Sequence, residues 1–80
     1  MPKTIVELEI VKLTINKRIL NKISQAKIAN FLNVTRGYIG QVEMSSSSSM
    51  YSYNQLNQLA ILFNCSPKDF MPEKAIQEKL

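Results

Sequence analysis

Several residue types on which enzymes and secreted proteins depend are scarce or missing in this sequence. The 80 residues include no histidine, no tryptophan and one cysteine. A single cysteine cannot form an internal disulfide, which favours a reducing cytoplasm over a secreted, disulfide-stabilised scaffold. Without histidine, clustered carboxylates or a glycine-rich phosphate loop, the sequence offers no parts for a metal site or for nucleophilic or acid–base catalysis. We therefore expect a protein that is not an enzyme and has neither metal nor cofactor.

Long apolar segments are also absent. No stretch approaches the roughly 18 uncharged apolar residues of a membrane span, and the N-terminus lacks the apolar block of a signal peptide. Hydrophobic residues still make up 45% of the chain, which is typical of a globular domain. The length suits one compact domain over residues 1–80, located in the cytoplasm.

The basic residues are unevenly distributed along the chain. The formal net charge is +4, yet residues 1–11 are slightly acidic and residues 44–80 are balanced. Residues 12–43 contain six basic side chains and a single acidic one, Glu43. Such a concentration is the electrostatic footprint of a surface that binds phosphates, although a solvated basic surface without a partner has the same composition.

Apolar residues recur at spacings of three and four, which predicts an all-α fold. A capping box at Thr4–Glu7 predicts that a first helix begins there and runs to about Lys22. Its apolar face would contain Ile5, Leu8, Ile15, Ile19 and Ile23. However, residues 6–10 alternate and are β-branched, which also suits a strand, so residues 5–13 stay open between helix and strand.

Two short helices follow in close succession. Ser24 is a good N-cap for a helix over Ser24–Leu32, and Thr35 for a second over Thr35–Met44. Asn33 interrupts the pattern between them, and asparagine tolerates the left-handed conformation that ends a helix in a tight turn. Two helices joined so closely must cross steeply, which predicts a helix-turn-helix with its core at residues 24–44.

The rest of the chain predicts a loop and two further helices. Residues 45–50 contain five consecutive serines and indicate a flexible loop. A helix from Ser52 or Tyr53 to Phe63 follows, then a short one from Ser66 to Pro72, and a tail over 73–80 that is helix-capable but prone to fraying. We expect a core that includes Phe31, Phe63 and Phe70, and tyrosines that pack across the loop, Tyr51 and Tyr53.

The stretch from Ser24 to Glu43 resembles the phage-repressor helix-turn-helix family, also called Cro-like or XRE. The resemblance covers about residues 12–72 and departs from the family at Asn33, where glycine is usual. It implies a five-helix, lambda-repressor-like DNA-binding domain. The residues that carry it are Gln25, Ala29, Val34, Ile39, Val42, Glu43 and the downstream run from Leu56 to Met71.

Thr35–Met44 is the expected recognition helix. A helix in the major groove presents residues near its N-terminus and at one-turn spacing to the bases, here Arg36, Gly37, Gly40 and Gln41. Arginine pairs with guanine and glutamine with adenine, and the glycines would let the backbone approach DNA closely. Contacts to the DNA backbone are expected from Gln25 at a helix N-terminus and from Lys22, Lys27, Thr35 and Tyr38.

The family resemblance also implies a structural ion pair. In that family, the first helix of the helix-turn-helix begins with a glutamine, which corresponds to Gln25 here. An arginine seven residues before that glutamine pairs with the glutamate that ends the recognition helix. Arg18 and Glu43 occupy those positions here. We therefore expect them to stabilise the fold and not to contact DNA.

These features predict a sequence-specific transcriptional regulator, most simply a repressor that binds a palindromic operator as a homodimer. The dimer contact would come from the long first helix or from the C-terminal region (Phe70, Met71, Ile76 and Leu80). The alternative is an antitoxin or another protein-interaction module that uses residues 5–13 to bind a polypeptide, with DNA binding secondary. General nucleoid binding is a third reading.

Overall fold

The computed structural model describes residues 2–78, which form four α-helices and one short 3-10 helix. The helices are α1 (Ile5–Leu20), α2 (Gln25–Leu32), α3 (Arg36–Glu43) and α4 (Tyr53–Leu62), followed by the 3-10 helix Pro67–Phe70. The all-α prediction is confirmed, and the fifth helix is the 3-10 segment. No helix among these residues is long and apolar enough to cross a membrane.

Each helix begins where a side chain can cap it. The hydroxyls of the residue preceding each helix accept a hydrogen bond from a backbone N–H in the first turn, which satisfies a donor that the helix itself leaves free. Three of the five also form a complete capping box. The N-caps are Thr4, Ser24, Thr35, Ser52 and Ser66.

α1 is helical throughout residues 5–13, so the strand interpretation of that segment is wrong. Its predicted apolar face is only partly correct. Ile15 and Ile23 pack against the core, but the helix buries Ile10, Val11 and Thr14, and Ile19 is 61% exposed. Ile5 and Leu8, also assigned to the buried face, are exposed as well. Isoleucine, leucine and valine residues of α1 occur on every side of the helix. The spacing of apolar residues therefore did not identify the side that packs against α3 and the 3-10 helix.

The core lies between α1, α2, α3, α4 and the 3-10 helix. Phe63 and Phe70 are buried and meet edge to face, with ring centroids 6.1 Å apart. Phe31, predicted to join them, is 43% exposed. The buried residues of α2 are Ile28, Ala29 and Leu32, and the Phe31 side chain lies beside this buried face.

The C-terminal tail is not helical over residues 71–78. It returns to the start of α1, where the Glu78 carboxylate accepts a hydrogen bond from the backbone N–H of Ile5. An acidic group at a helix N-terminus is favoured by the helix dipole. Lys79 and Leu80 lie outside the described residues.

The two tyrosines after the serine loop differ in environment. Tyr51 is 5% exposed, as predicted, whereas Tyr53 is 90% exposed and does not pack across the loop. Among residues 2–78, the buried Tyr51 hydroxyl has no hydrogen-bond partner. Burial raises the pKa of this phenol, and the Glu43 carboxylate and Tyr38 raise it further, while Arg18 opposes them.

Tyr51→Phe is expected to stabilise the protein by about 1 kcal/mol, since a buried hydroxyl without a partner costs about 1–3 kcal/mol. The raised pKa also makes wild-type stability fall above pH ~10, because the unfolded chain releases the phenolic proton there and the folded chain retains it. Tyr51→Phe should lack this part of the alkaline loss. Urea denaturation at neutral and alkaline pH measures both effects. Tyr53→Phe is the matched control, and equal behaviour of the two variants would contradict the prediction.

Candidate nucleic-acid interface

α2 and α3 are joined by a tight turn that contains a left-handed residue. Asn33 has φ 59° and ψ 46°, and the N–H of Val34 donates to the carbonyl of Ala29 over 2.9 Å. Asparagine thus occupies the αL position that ends a helix, as its sequence position predicts. Ala29 is buried and lets the two helices lie close together. The α2–turn–α3 unit is a helix-turn-helix, with the predicted bounds reproduced by the helices and their caps.

α3 has one buried face and one open face. Ile39 and Val42 are fully buried. The open face contains Arg36 and Gln41, both exposed, with Gly37 and Gly40 between them. The structure therefore brings the four predicted base-reading residues together on one surface, which we call the reading face.

The two glycines of the reading face are not required by packing within the protein. A Cβ added at Gly37 would have Thr35 Oγ1 as its nearest neighbour at 3.9 Å, and one at Gly40 would have Gln25 Oε1 at 4.0 Å. Both are ordinary van der Waals distances, and neither glycine has a positive φ. Since glycine lowers helix stability relative to alanine, the protein accepts a cost here that its own fold does not explain.

The last residue of α3 holds three helices together. Glu43 Oε2 accepts from Arg18 Nε over 2.8 Å, and Glu43 Oε1 accepts from another guanidinium nitrogen of Arg18 over 2.9 Å. Gln25 Nε2 donates to the same Oε1, also over 2.9 Å. Arg18 further donates to the carbonyl of Ile23. The geometry is that of the expected structural ion pair, and it also fixes the side chain of Gln25 at the start of α2.

Tyr38 is oriented away from the reading face. Its hydroxyl lies 2.5 Å from the carbonyl of Met50 and 3.1 Å from Gln55 Oε1, so it connects α3 to the start of α4. The structure gives this predicted DNA-backbone residue an internal partner that is 12 residues away in sequence, beyond the reach of local pattern analysis.

The other residues predicted to contact the DNA backbone lie at or near the ends of helices. Thr35 Oγ1 accepts the N–H of Tyr38 as the N-cap of α3. Lys27 is exposed in the first turn of α2, and Lys22 is exposed with a positive φ in the turn after α1, which ends at Leu20, not at Lys22. These side chains are accessible to a ligand that approaches the α2–α3 side.

Lys3 was not identified from the sequence. Its ammonium donates to the carbonyl oxygens of Met44 at 2.8 Å and Ser47 at 2.7 Å, and lies 3.5 Å from that of Gln41. Burial lowers the pKa of this ammonium, and the nearby Glu7 carboxylate opposes the shift. Its partners are 38 to 44 residues away, so no local signal could have indicated the contact.

No family model matches this chain, and no curated protein matches it. The resemblance to phage repressors therefore stays a prediction. Among the residues that the structure describes, no group of three or more aspartate, glutamate or cysteine side chains lies close enough to hold a metal ion.

Solved structures do share the fold. A crystal structure of FeII HppE matches with a TM-score of 0.71 at 19% identity, over 84% of this chain and 34% of that chain. FeII HppE in complex with substrate gives 0.70 at 20% identity, and apo-HppE gives 0.67 at 18% identity. This chain spans about a third of the length of the chains it matches. At this identity, the likeness concerns the fold alone.

Arg18→Met or Glu43→Leu should each lower the free energy of unfolding by about 3 kcal/mol, because each leaves a largely buried charge without its partner. The double variant should lose much less than the sum, since no unpaired charge then remains. Urea denaturation of the four proteins measures the coupling. Additive losses would contradict the prediction.

Proposed function

We propose that this protein is a sequence-specific transcriptional regulator that binds double-stranded DNA through α3. The observation that carries the proposal is the reading face, where two exposed hydrogen-bonding side chains lie beside two glycines on a helix whose other face is fully buried. A rigidly supported helix with one open polar face suits insertion into the major groove. A protein with this function would be located in the cytoplasm and associated with the nucleoid.

The side chains of the reading face have the chemistry for base recognition. Arg36, in the first turn of α3, carries a guanidinium that can pair bidentately with guanine, and the amide of Gln41 can pair with adenine. Gly37 and Gly40 keep the helix surface between them low, so that the backbone can approach the base edges. The unexplained cost of these glycines in the free protein supports a role in binding.

Basic and capping groups lie at the starts of α2 and α3 and in the turn before α2. Lys22, Lys27 and Thr35 are exposed, and Gln25 is held at the start of α2 by Glu43. Backbone N–H groups at a helix N-terminus favour an anionic phosphate. We propose that these residues contact the DNA backbone and set the register of α3 in the groove. The Tyr38 hydroxyl donates its single proton to the carbonyl of Met50 and has none left for a phosphate, so we propose no DNA contact for it.

One reading face contacts few bases, so we propose that two copies bind a palindromic operator with half-sites about one turn of DNA apart. Repression is the simplest outcome, because a bound dimer occludes the site. Phe70 is fully buried within its own protomer and is not available as a dimer contact. Met71 and the exposed apolar residues of α1 remain available.

A second candidate function is a protein-interaction module of the antitoxin kind. The observation that favours it is the exposure of two large apolar side chains, Ile5 and Leu8, near the start of α1. Exposed apolar side chains that cluster mark binding sites for other proteins. In this case the partner would bind α1, and DNA binding through α3 would be secondary.

Selection of bound sequences from a random duplex pool tests specificity and site symmetry together. On the selected site, Arg36→Ala and Gln41→Ala should each weaken binding at least about tenfold, with a small effect on random duplex, because base contacts and not phosphate contacts are lost. Fluorescence anisotropy at two salt concentrations measures this. Lys74→Ala, in the exposed part of the tail, is the control. An equal loss on both duplexes would show that Arg36 contacts only phosphate.

The glycines allow stability and binding to be separated. Gly37→Ala and Gly40→Ala should each stabilise the free protein by about 0.5–1 kcal/mol, since alanine favours the helix and the added methyl meets no close neighbour. The same methyl should weaken binding to the selected duplex about tenfold or more, by holding the backbone away from the bases. Thermal unfolding and anisotropy measure the two effects. A stabilised variant with undiminished affinity would contradict the proposed close approach.

A further inference from the structure

The buried Lys3 forms an unusual contact with the end of α3. The residue is 7% exposed, and its ammonium lies within hydrogen-bond distance of three backbone carbonyls. An ammonium has three protons to donate, so these three acceptors satisfy it. Lys3 is therefore not placed to contact a DNA phosphate.

The three carbonyls belong to the recognition helix and to the loop that follows it. Gln41 is a residue of the reading face, Met44 is the C-cap of α3, and Ser47 lies in the serine loop. The C-terminal end of a helix carries a partial negative charge of about half an electron, which repels DNA phosphates. The Lys3 ammonium compensates this charge from inside the protein.

The backbone at Lys3 is itself held in place. Thr4, the next residue, is the N-cap of α1, and its capping box with Glu7 contains two hydrogen bonds, Thr4 N–H to Glu7 Oε1 and Glu7 N–H to Thr4 Oγ1. The start of α1 therefore determines where the ammonium lies. Arg18, near the end of α1, holds Glu43 at the end of α3. Both ends of α1 are thus connected to the C-terminal end of the recognition helix.

We propose that Lys3 is a positioning residue for DNA recognition, which fixes the backbone at Gln41 and the serine loop without touching DNA. The inference rests on the proposed function. In this proposal, the segment before α1 helps to determine how Gln41 is oriented toward the bases.

The test compares Lys3→Met, which keeps most of the aliphatic chain and removes the ammonium, with Lys3→Arg, which keeps a cation and its donors. Lys74→Met is the control for loss of one charge. Lys3→Met should weaken binding to the selected duplex about tenfold, while Lys3→Arg restores most of the affinity. The dependence of log K on log salt should keep its slope, because no phosphate contact is lost, whereas loss of such a contact lowers the slope by about 1.

A double-variant cycle shows whether Lys3 acts through Gln41. In the Lys3→Met background, Gln41→Ala should cost clearly less affinity than in the wild type, because the glutamine is already misplaced. A structural role without effect on recognition would leave the two costs equal.

Hydrogen exchange provides a measurement that does not need DNA. The amide of Ser47, which donates to the carbonyl of Met44, should exchange faster in Lys3→Met. The amides of Val34 and Cys65, which close the turns after α2 and α4, are internal references for global stability. If Lys3→Met does not fold, Lys3→Gln, which keeps amide donors without a charge, takes its place in all three measurements.

The outcomes separate the two proposals. If the wild type does not distinguish the selected duplex from random DNA, the proposed function and this inference both fail. If the wild type distinguishes them and Lys3→Met does so equally well, the inference alone fails. A uniform loss on both duplexes with a lower salt slope would make Lys3 a phosphate contact and would also overturn it.

Discussion

The position of α3 depends on the carboxylate of Glu43. Both of its oxygens accept hydrogen bonds from Arg18, and one accepts a third from Gln25, so α1, α2 and α3 meet at a single charged group. Its side chain is 9% exposed. In such a place a charge without partners is costly, whereas a fully hydrogen-bonded one specifies a single arrangement of the elements around it. The apolar residues of α3 supply burial, and the carboxylate determines which way the helix faces.

A helix held in this way can tolerate an outer surface that contributes little to folding. α3 has two glycines among its eight residues and no acidic residue in its first turn, so it is poorly stabilised on its own. Burial of Ile39 and Val42, which are fully buried, compensates for this low intrinsic helix stability. Lys3 donates to a free carbonyl at the C-terminal end of α3, where a helix attracts cations, and Arg18 pairs with the carboxylate of its last residue. The open face is thereby available for a ligand without being needed for the fold.

Much of the fold could be predicted because its signals are local. Thr4, Ser24 and Thr35 each cap a helix through an N–H three residues away, and Asn33 adopts the left-handed conformation expected from its position. The buried face of α1 could not be predicted in the same way, because apolar residues surround that helix. Phe31 is exposed because α2 buries the face formed by Ile28, Ala29 and Leu32, and Phe31 lies outside it.

The sequence by itself determined where the helices begin, the turn between α2 and α3, and the four residues that share the open face of α3. Each of these follows from interactions within a few residues or from the helical repeat. Tertiary structure alone decided the burial of Lys3, the orientation of Tyr38 toward α4, the unpartnered hydroxyl of Tyr51 and the contact of Gln25 with Glu43. These depend on side chains that are far apart in sequence and meet only when the helices pack, so no local pattern encodes them.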